Sequence, residues 1–168
     1  VNGHVGLFED GAARWARHEI EVNYLGALNM LRAFGPAMRQ RHEGTVVQLL
    51  SFTALVNVPL MASYCASKAA AHSLIQAARA ELAPFGVRVC GVFPRIVDTA
   101  MATHVATAKT SPQEVALAVI TAIATGVDEV YPGSAAVSHA AFIAAPKALE
   151  RESGSRLPAT TRNLLARA

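Results

Sequence analysis

The stretch from residue 45 to residue 93 limits the fold more than any other. An apolar, β-branched run, Thr45-Val46-Val47-Gln48-Leu49-Leu50, is followed by an alanine-rich helical stretch over 62–83 that ends near Pro84-Phe85-Gly86. A second apolar run, Val87-Arg88-Val89-Cys90-Gly91-Val92-Phe93, comes directly after it. Apolar strands joined through a long helix belong to a parallel crossover, because parallel neighbours need a connection of about a dozen residues or more and are covered on both faces. The alternation continues downstream. Ser111-Pro112-Gln113-Glu114 supplies a serine cap and a first-turn proline for a helix running to Thr125-Gly126. Glu129-Val130-Tyr131 reads as a short last strand, and Pro132-Gly133 precedes an alanine-rich helix. Upstream, residues 12–34 carry Trp15, Ile20, Leu25, Leu28 and Leu31 at helical spacing, helix continues over 36–42 after Pro36, and Glu43-Gly44 turns into the first strand. The fold expected is a three-layer α/β sandwich around a parallel sheet.

Within this frame one pair of residues carries chemistry. Tyr64 and Lys68 stand four apart at the start of the helix 62–83, so both side chains share one helix face. An ammonium near a phenol stabilises the phenolate and is expected to lower its pKa from about 10. Such a tyrosine exchanges protons with a carbonyl or alcohol oxygen near neutral pH. Ser51 lies thirteen residues earlier, directly after the first strand, where parallel α/β sheets place their functional groups.

Taken in order, these residues resemble the short-chain dehydrogenase/reductase family. Tyr64-Cys65-Ala66-Ser67-Lys68-Ala69-Ala70 is similar to the family's Tyr-x-Ala-Ser-Lys-Ala-Ala helix, and Val22-Asn23-Tyr24-Leu25-Gly26 to its Asn-x-x-Gly segment. Pro94-Arg95-Ile96-Val97-Asp98-Thr99 resembles the Pro-Gly-x-Val-x-Thr segment over the nicotinamide. Val1-Asn2-Gly3-His4-Val5-Gly6 is similar to a worn Asn-Asn-Ala-Gly segment, which closes the fourth strand and sets Asn2 at the cofactor. The resemblance covers about residues 1–135 and implies a Rossmann-like sheet, NAD or NADP as cofactor, and a small-molecule alcohol or carbonyl substrate. Carried over, Tyr64 is the general acid/base, Lys68 tunes it and holds the nicotinamide ribose, and Ser51 hydrogen-bonds the substrate oxygen. Asn23 supports proton relay, while Pro94, Ile96, Val97 and Thr99 bind the carboxamide end. Helices 12–34 and 62–83 correspond to those that pair subunits, so a homodimer or tetramer is expected. Three positions depart from the family: Arg95 replaces a glycine, Phe52 stands where a small polar residue is frequent, and Gly3-His4-Val5-Gly6 differs from Asn-Ala-Gly.

The family's glycine-rich turn, Thr-Gly-x-x-x-Gly-x-Gly, has no counterpart among these residues, and Gly3 and Gly6 lead into the acidic Glu9-Asp10. Residues 1–146 are therefore expected to be the C-terminal part of a Rossmann-like domain whose first strands are missing. The same reading expects weak or no cofactor binding by the 168 residues alone, an open sheet edge near Val1 and Asn2, and self-association. Three other readings compete, one of them an epimerase or dehydratase of the related extended family, whose larger C-terminal substrate domain finds little counterpart after Tyr131. A Ser-Lys hydrolase would use Lys68 as base for Ser51, but it lacks a Gly-x-Ser-x-Gly elbow and leaves Tyr64 idle. An inactive truncated subunit would act only as a dimerising module.

Composition excludes several classes. With 52% hydrophobic and 16% charged residues the chain is globular, and no apolar run approaches the ~18 residues of a membrane span. Residues 147–168 hold a basic surplus of three, which accounts for the whole formal charge of +3. This segment is expected to be a flexible, solvated tail, because no aromatic residue interleaves its charges for stacking on nucleic acid. Cys65 and Cys90 are read as reduced thiols of a cytoplasmic protein. The six histidines share no metal-ligand spacing, so no metal is expected. Met101, Ala102, Val105 and Ala106 in the loop 100–110 suit an apolar or mixed substrate better than a sugar phosphate.

Overall fold

A computed structural model describes residues 1–3, 5–103, 105–155 and 157. Helix α1 (Ala12–Ile20) passes through a π-turn (Glu21–Leu25) into α2 (Gly26–Arg41). Strand β1 (Gly44–Leu49), a short 3-10 turn (Phe52–Ala54), α3 (Ala62–Leu82) and β2 (Val87–Val92) follow. The chain continues through α4 (Pro112–Thr125), β3 (Glu129–Val130), α5 (Ser134–Ala144) and α6 (Pro146–Ser155). The strands form one sheet in the order β1-β2-β3, parallel throughout, with Gly44 opposite Val87 and Leu49 opposite Val92. The architecture is the Rossmann-like α/β arrangement expected, in partial form. On its outer side β1 pairs with no strand among the described residues.

Alternation along β2 decides which helix meets which face. Val87, Val89 and Phe93 point to α3 and form the core with Leu50, Ala71, Ile75 and Leu82. Val92 points the other way and shares a cavity wall with Val47, Leu49, Val115 and Val119, which puts α4 on the opposite face. Helix α3 is held close because Ala71 and Ile75 are fully buried against the sheet, and burying a side chain of isoleucine size contributes about 1.5–3 kcal/mol. Helices α1 and α2 pack in turn on α3.

Pro36 does not interrupt α2, although it removes one helical donor. It is exposed, as is Arg32 one turn earlier, so water can satisfy the freed carbonyl. At the far edge Tyr131 stacks between Phe93 (5.0 Å between ring centroids) and His139 (3.7 Å), joining β2, the end of β3 and α5. Its hydroxyl donates to Glu129 Oε2 at 2.7 Å, and His72 Nε2 of α3 lies 3.1 Å from Oε1. Burial works to raise the Glu129 pKa, but these two hydrogen bonds, together with the electrostatic attraction of His72 and Arg79, outweigh it and hold the carboxyl below its ordinary value.

The expected flexible tail is helical over its first part. Pro146 opens α6 at a first-turn position where its missing N–H is no loss, and the Ser153 hydroxyl donates to the Asn57 carbonyl at 2.9 Å. Residues 158–168 lie outside the described residues.

The turn from α3 into β2 depends on Gly86, which has φ 68° and lies against α2's C-terminal end. A Cβ there would sit 2.9 Å from the His42 carbonyl oxygen. Gly86→Ala is expected to cost about 1–3 kcal/mol, measured as a lower urea midpoint with an unchanged slope.

Candidate active site

Ser51, Tyr64 and Lys68 meet at the carboxyl edge of the sheet. Beyond the regular pairing, Leu50 N–H donates to the Val92 carbonyl at 2.8 Å and Phe52 N–H to the Pro94 carbonyl at 2.9 Å. This fixes Ser51 in extended backbone, φ −163° and ψ 153°. Its Oγ accepts from the Thr53 N–H (3.2 Å) and the Thr53 hydroxyl (2.9 Å), leaving its own proton to be donated elsewhere. Tyr64 and Lys68 occupy the first two turns of α3, with Lys68 Nζ 5.9 Å from the phenol ring centroid. All three side chains border one cavity of about 1040 Å³.

The electrostatics differ from the expectation of a phenol lowered by lysine. Burial pushes Tyr64 above its ordinary value of 10.0, and the neighbouring Ser51 hydroxyl works the other way by favouring the phenolate. Burial also pushes the Lys68 ammonium below its ordinary value. The reason is geometric. Nζ donates to the Leu49 carbonyl at 3.1 Å and stands off the ring, so desolvation dominates for both groups.

Asn23, expected at the catalytic group, lies in the π-turn between α1 and α2 and does not line the cavity; it is buried behind α3. Its Nδ2 donates to the Val1 carbonyl and to Ser67 Oγ, each at 2.9 Å, and its Oδ1 accepts from the Val1 nitrogen at 2.8 Å. Ser67, fully buried, passes the connection on by donating to the Tyr64 carbonyl at 2.7 Å. Asn23 therefore braces the chain start against the first turn of α3. The Val1–Gly3 segment is held further by Glu19, whose Oε1 accepts from Gly3 N–H at 2.7 Å. Val1 and Asn2 both line the cavity; His4 lies outside the described residues.

Pro94, Ile96, Val97 and Thr99 line the same cavity. The loop they begin is closed at its neck, where Thr110 N–H donates to the Ile96 carbonyl (2.8 Å) and Asp98 N–H to the Thr110 carbonyl (2.9 Å). Arg95 has a negative φ, so the side chain that replaces glycine is carried without backbone strain. Thr53, Ser67, Ser138 and the α6 residues Leu149 and Ser153 are neighbours that the sequence reading did not single out. Ser67 had a signal, lying inside the Tyr-x-x-x-Lys segment; α6 gave none. Among the described residues no three metal-ligating side chains converge, and no helix is long and apolar enough to cross a membrane.

The profile of the short chain dehydrogenase family matches residues 3–110. The chain belongs to that family. It is 34% identical over 114 residues to 2-(S)-hydroxypropyl-CoM dehydrogenase 3 of Xanthobacter autotrophicus, covering 67% of this chain and 44% of that protein. It is 38% identical over 82 residues to very-long-chain 3-oxoacyl-CoA reductase of Ajellomyces capsulatus, covering 49% of this chain and 24% of that protein. A crystal structure of a short chain dehydrogenase from Burkholderia cenocepacia in complex with NADP superposes with a TM-score of 0.84 at 43% identity, over 91% of this chain and 65% of that one. The chain thus spans less than half the length of these two curated relatives.

Ser67→Ala would leave a buried Asn23 N–H without its acceptor. A loss of about 1–3 kcal/mol is expected, with earlier amide exchange at the first turn of α3. Unchanged stability in denaturant melts would show that the Asn23 brace does not matter.

Proposed function

We propose that this chain carries the proton-transfer and nicotinamide-facing part of an NAD(P)-dependent oxidoreductase acting on an alcohol or carbonyl substrate. The observation that supports it is the placement of Ser51, Tyr64 and Lys68 on one cavity at the carboxyl edge of a parallel sheet. The bound nicotinamide supplies or accepts the hydride. In reduction Tyr64 gives its proton to the carbonyl oxygen, Ser51 donates a hydrogen bond to the same oxygen, and Lys68 stabilises the phenolate that is left. Asn23 acts by holding the first turn of α3, and so Tyr64, in place.

The donor set suits the nicotinamide-ribose end of such a cofactor, with Lys68, Tyr64, Ile96, Val97 and Thr99 all bordering the one cavity. No glycine lines the cavity among the described residues, so nothing there offers a pyrophosphate the backbone amides of a glycine-rich turn. The 168 residues by themselves are therefore expected to bind NADH and NADPH weakly or not at all. Micromolar binding of either in calorimetric titration would refute this.

In the protein that contains this chain, Tyr64→Phe is expected to reduce turnover by at least about 10²-fold with little change in cofactor affinity. Burial keeps the phenol protonated across the neutral range, so reduction should be flat with pH there and fall only as pH approaches the raised phenol pKa. Oxidation, which needs the phenolate, should rise as pH climbs toward the phenol's pKa. A flat profile for reduction beside a rising one for oxidation below the phenol pKa is the expected result, and Tyr64→Phe turnover close to wild type would remove Tyr64 from the mechanism.

The hydrolase reading is less well supported: among the described residues Lys68 makes no hydrogen bond to Ser51, its Nζ donating instead to the Leu49 carbonyl at 3.1 Å, and that reading leaves Tyr64 idle. Pairing through residues 12–34 and 62–83 is part of the same proposal, supported by exposed Val22, Leu25, Met30 and Phe34. So is a cytoplasmic location, supported by two buried free thiols.

A further inference from the structure

Among the described residues three charged side chains border the cavity: Lys68, Arg95 and Glu152. Lys68 has a role in the proposed chemistry, and Glu152 is exposed on α6. Arg95 has none so far. It is half-buried at the carboxyl end of β2, where a guanidinium needs a reason to be. Its Nη1 donates to Ser138 Oγ at 2.8 Å, and Ser138, itself buried in α5, donates on to the Ser134 carbonyl at 3.3 Å. A neutral hydroxyl uses one of five guanidinium donors. No carboxylate among the described residues forms an ion pair with Arg95, Glu152 included. The remaining walls near it are apolar, including Ile96, Met101, Val105, Val137, Ala141 and Leu149.

A planar cation that is pinned by a buried serine, forms no ion pair among the described residues, and borders a largely apolar cavity is suited to a carboxylate, which it can bind in two-point fashion. Its position relative to the chemistry follows from the backbone. The Phe52 N–H to Pro94 carbonyl bond lies one residue from Ser51 on one side and one residue from Arg95 on the other. We propose that Arg95 anchors a substrate carboxylate and selects alcohols and ketones with an apolar body and an acid group a few bonds from the reacting carbon. This rests on the oxidoreductase reading of the Ser51-Tyr64-Lys68 cavity and narrows its substrate class. The competing occupant of the guanidinium is the cofactor's own phosphate.

The test compares 3-hydroxyoctanoate with its methyl ester in the full protein, for wild type, Arg95→Gln and Arg95→Lys. Wild type should prefer the acid. Arg95→Gln should lower the acid-to-ester ratio of kcat/KM roughly 10-fold or more, chiefly through KM for the acid. The KM for NAD or NADP should stay unchanged. Arg95→Lys should recover only part of the preference, since an ammonium keeps the charge but not the fork. An unchanged ratio overturns the assignment, and so does an equal loss on both substrates accompanied by a raised cofactor KM. A second readout does not need turnover: phenylglyoxal labelling of Arg95 followed by peptide mass spectrometry. Octanoate should protect Arg95 and methyl octanoate should not. If neither substrate turns over, the labelling decides Arg95 by itself: selective protection by the acid upholds the anchor, and no protection overturns it, while the oxidoreductase reading stands or falls on Tyr64→Phe.

Discussion

The parallel pairing of β1 with β2 is the constraint from which the site follows. Two parallel strands end at the same edge, and the helix that connects them must begin there and run back. Ser51 at the end of β1, Tyr64 and Lys68 at the start of α3, and Pro94 and Arg95 at the end of β2 are therefore gathered by topology, although they span more than forty positions of sequence. The pairing extends past the strands through Leu50 to Val92 and Phe52 to Pro94. Those two bonds lock the loops in register, so a slip of one residue would turn Ser51 away from Tyr64.

Burial then sets the chemistry. The cavity floor is made of Leu50, Val92 and Phe52, all buried, so charges on Tyr64 or Lys68 are poorly solvated. Each ion on its own is disfavoured, which is why the phenol is pushed up and the ammonium down. A phenolate and an ammonium formed together would offset each other in the same low-dielectric space. Under the proposed mechanism, proton transfer from Tyr64 would create a charge that Lys68 can answer.

The surfaces around the site are unusually apolar for a chain that stands by itself. Leu49 on the outer edge of β1 is 55% exposed, with Met30 and Phe34 of α2 beside the same edge. Leu117 and Ile120, one turn apart on α4, are also exposed. An unpaired strand edge flanked by apolar side chains recruits other chain segments. The Burkholderia relative is longer, with this chain matching 65% of it.

The sequence by itself determined the order and type of the elements from residue 44 to residue 130, because β-branched runs, an alanine-rich helix and the Ser111-Pro112 cap are local signals. It also determined which residues meet at the site, since Ser51, Tyr64 and Lys68 owe their meeting to crossover topology and to a helical spacing of four. Tertiary structure decided what depends on neighbours distant in sequence. The continuous α2 across Pro36 rests on exposure of one carbonyl, and the helix over Pro146–Ser155 lies in a segment whose basic surplus reads as a solvated tail until its contact with Asn57 is seen. The engagement of Asn23 with Val1 and Ser67 needs a π-turn that no residue pattern announces. The direction of the Tyr64 and Lys68 shifts was set by burial, an area property of the assembled core, which overrode the pairwise attraction that spacing suggests. Arg95, a departure from a glycine position in the sequence, became a guanidinium on Ser138 only when α5 folded over the end of β2.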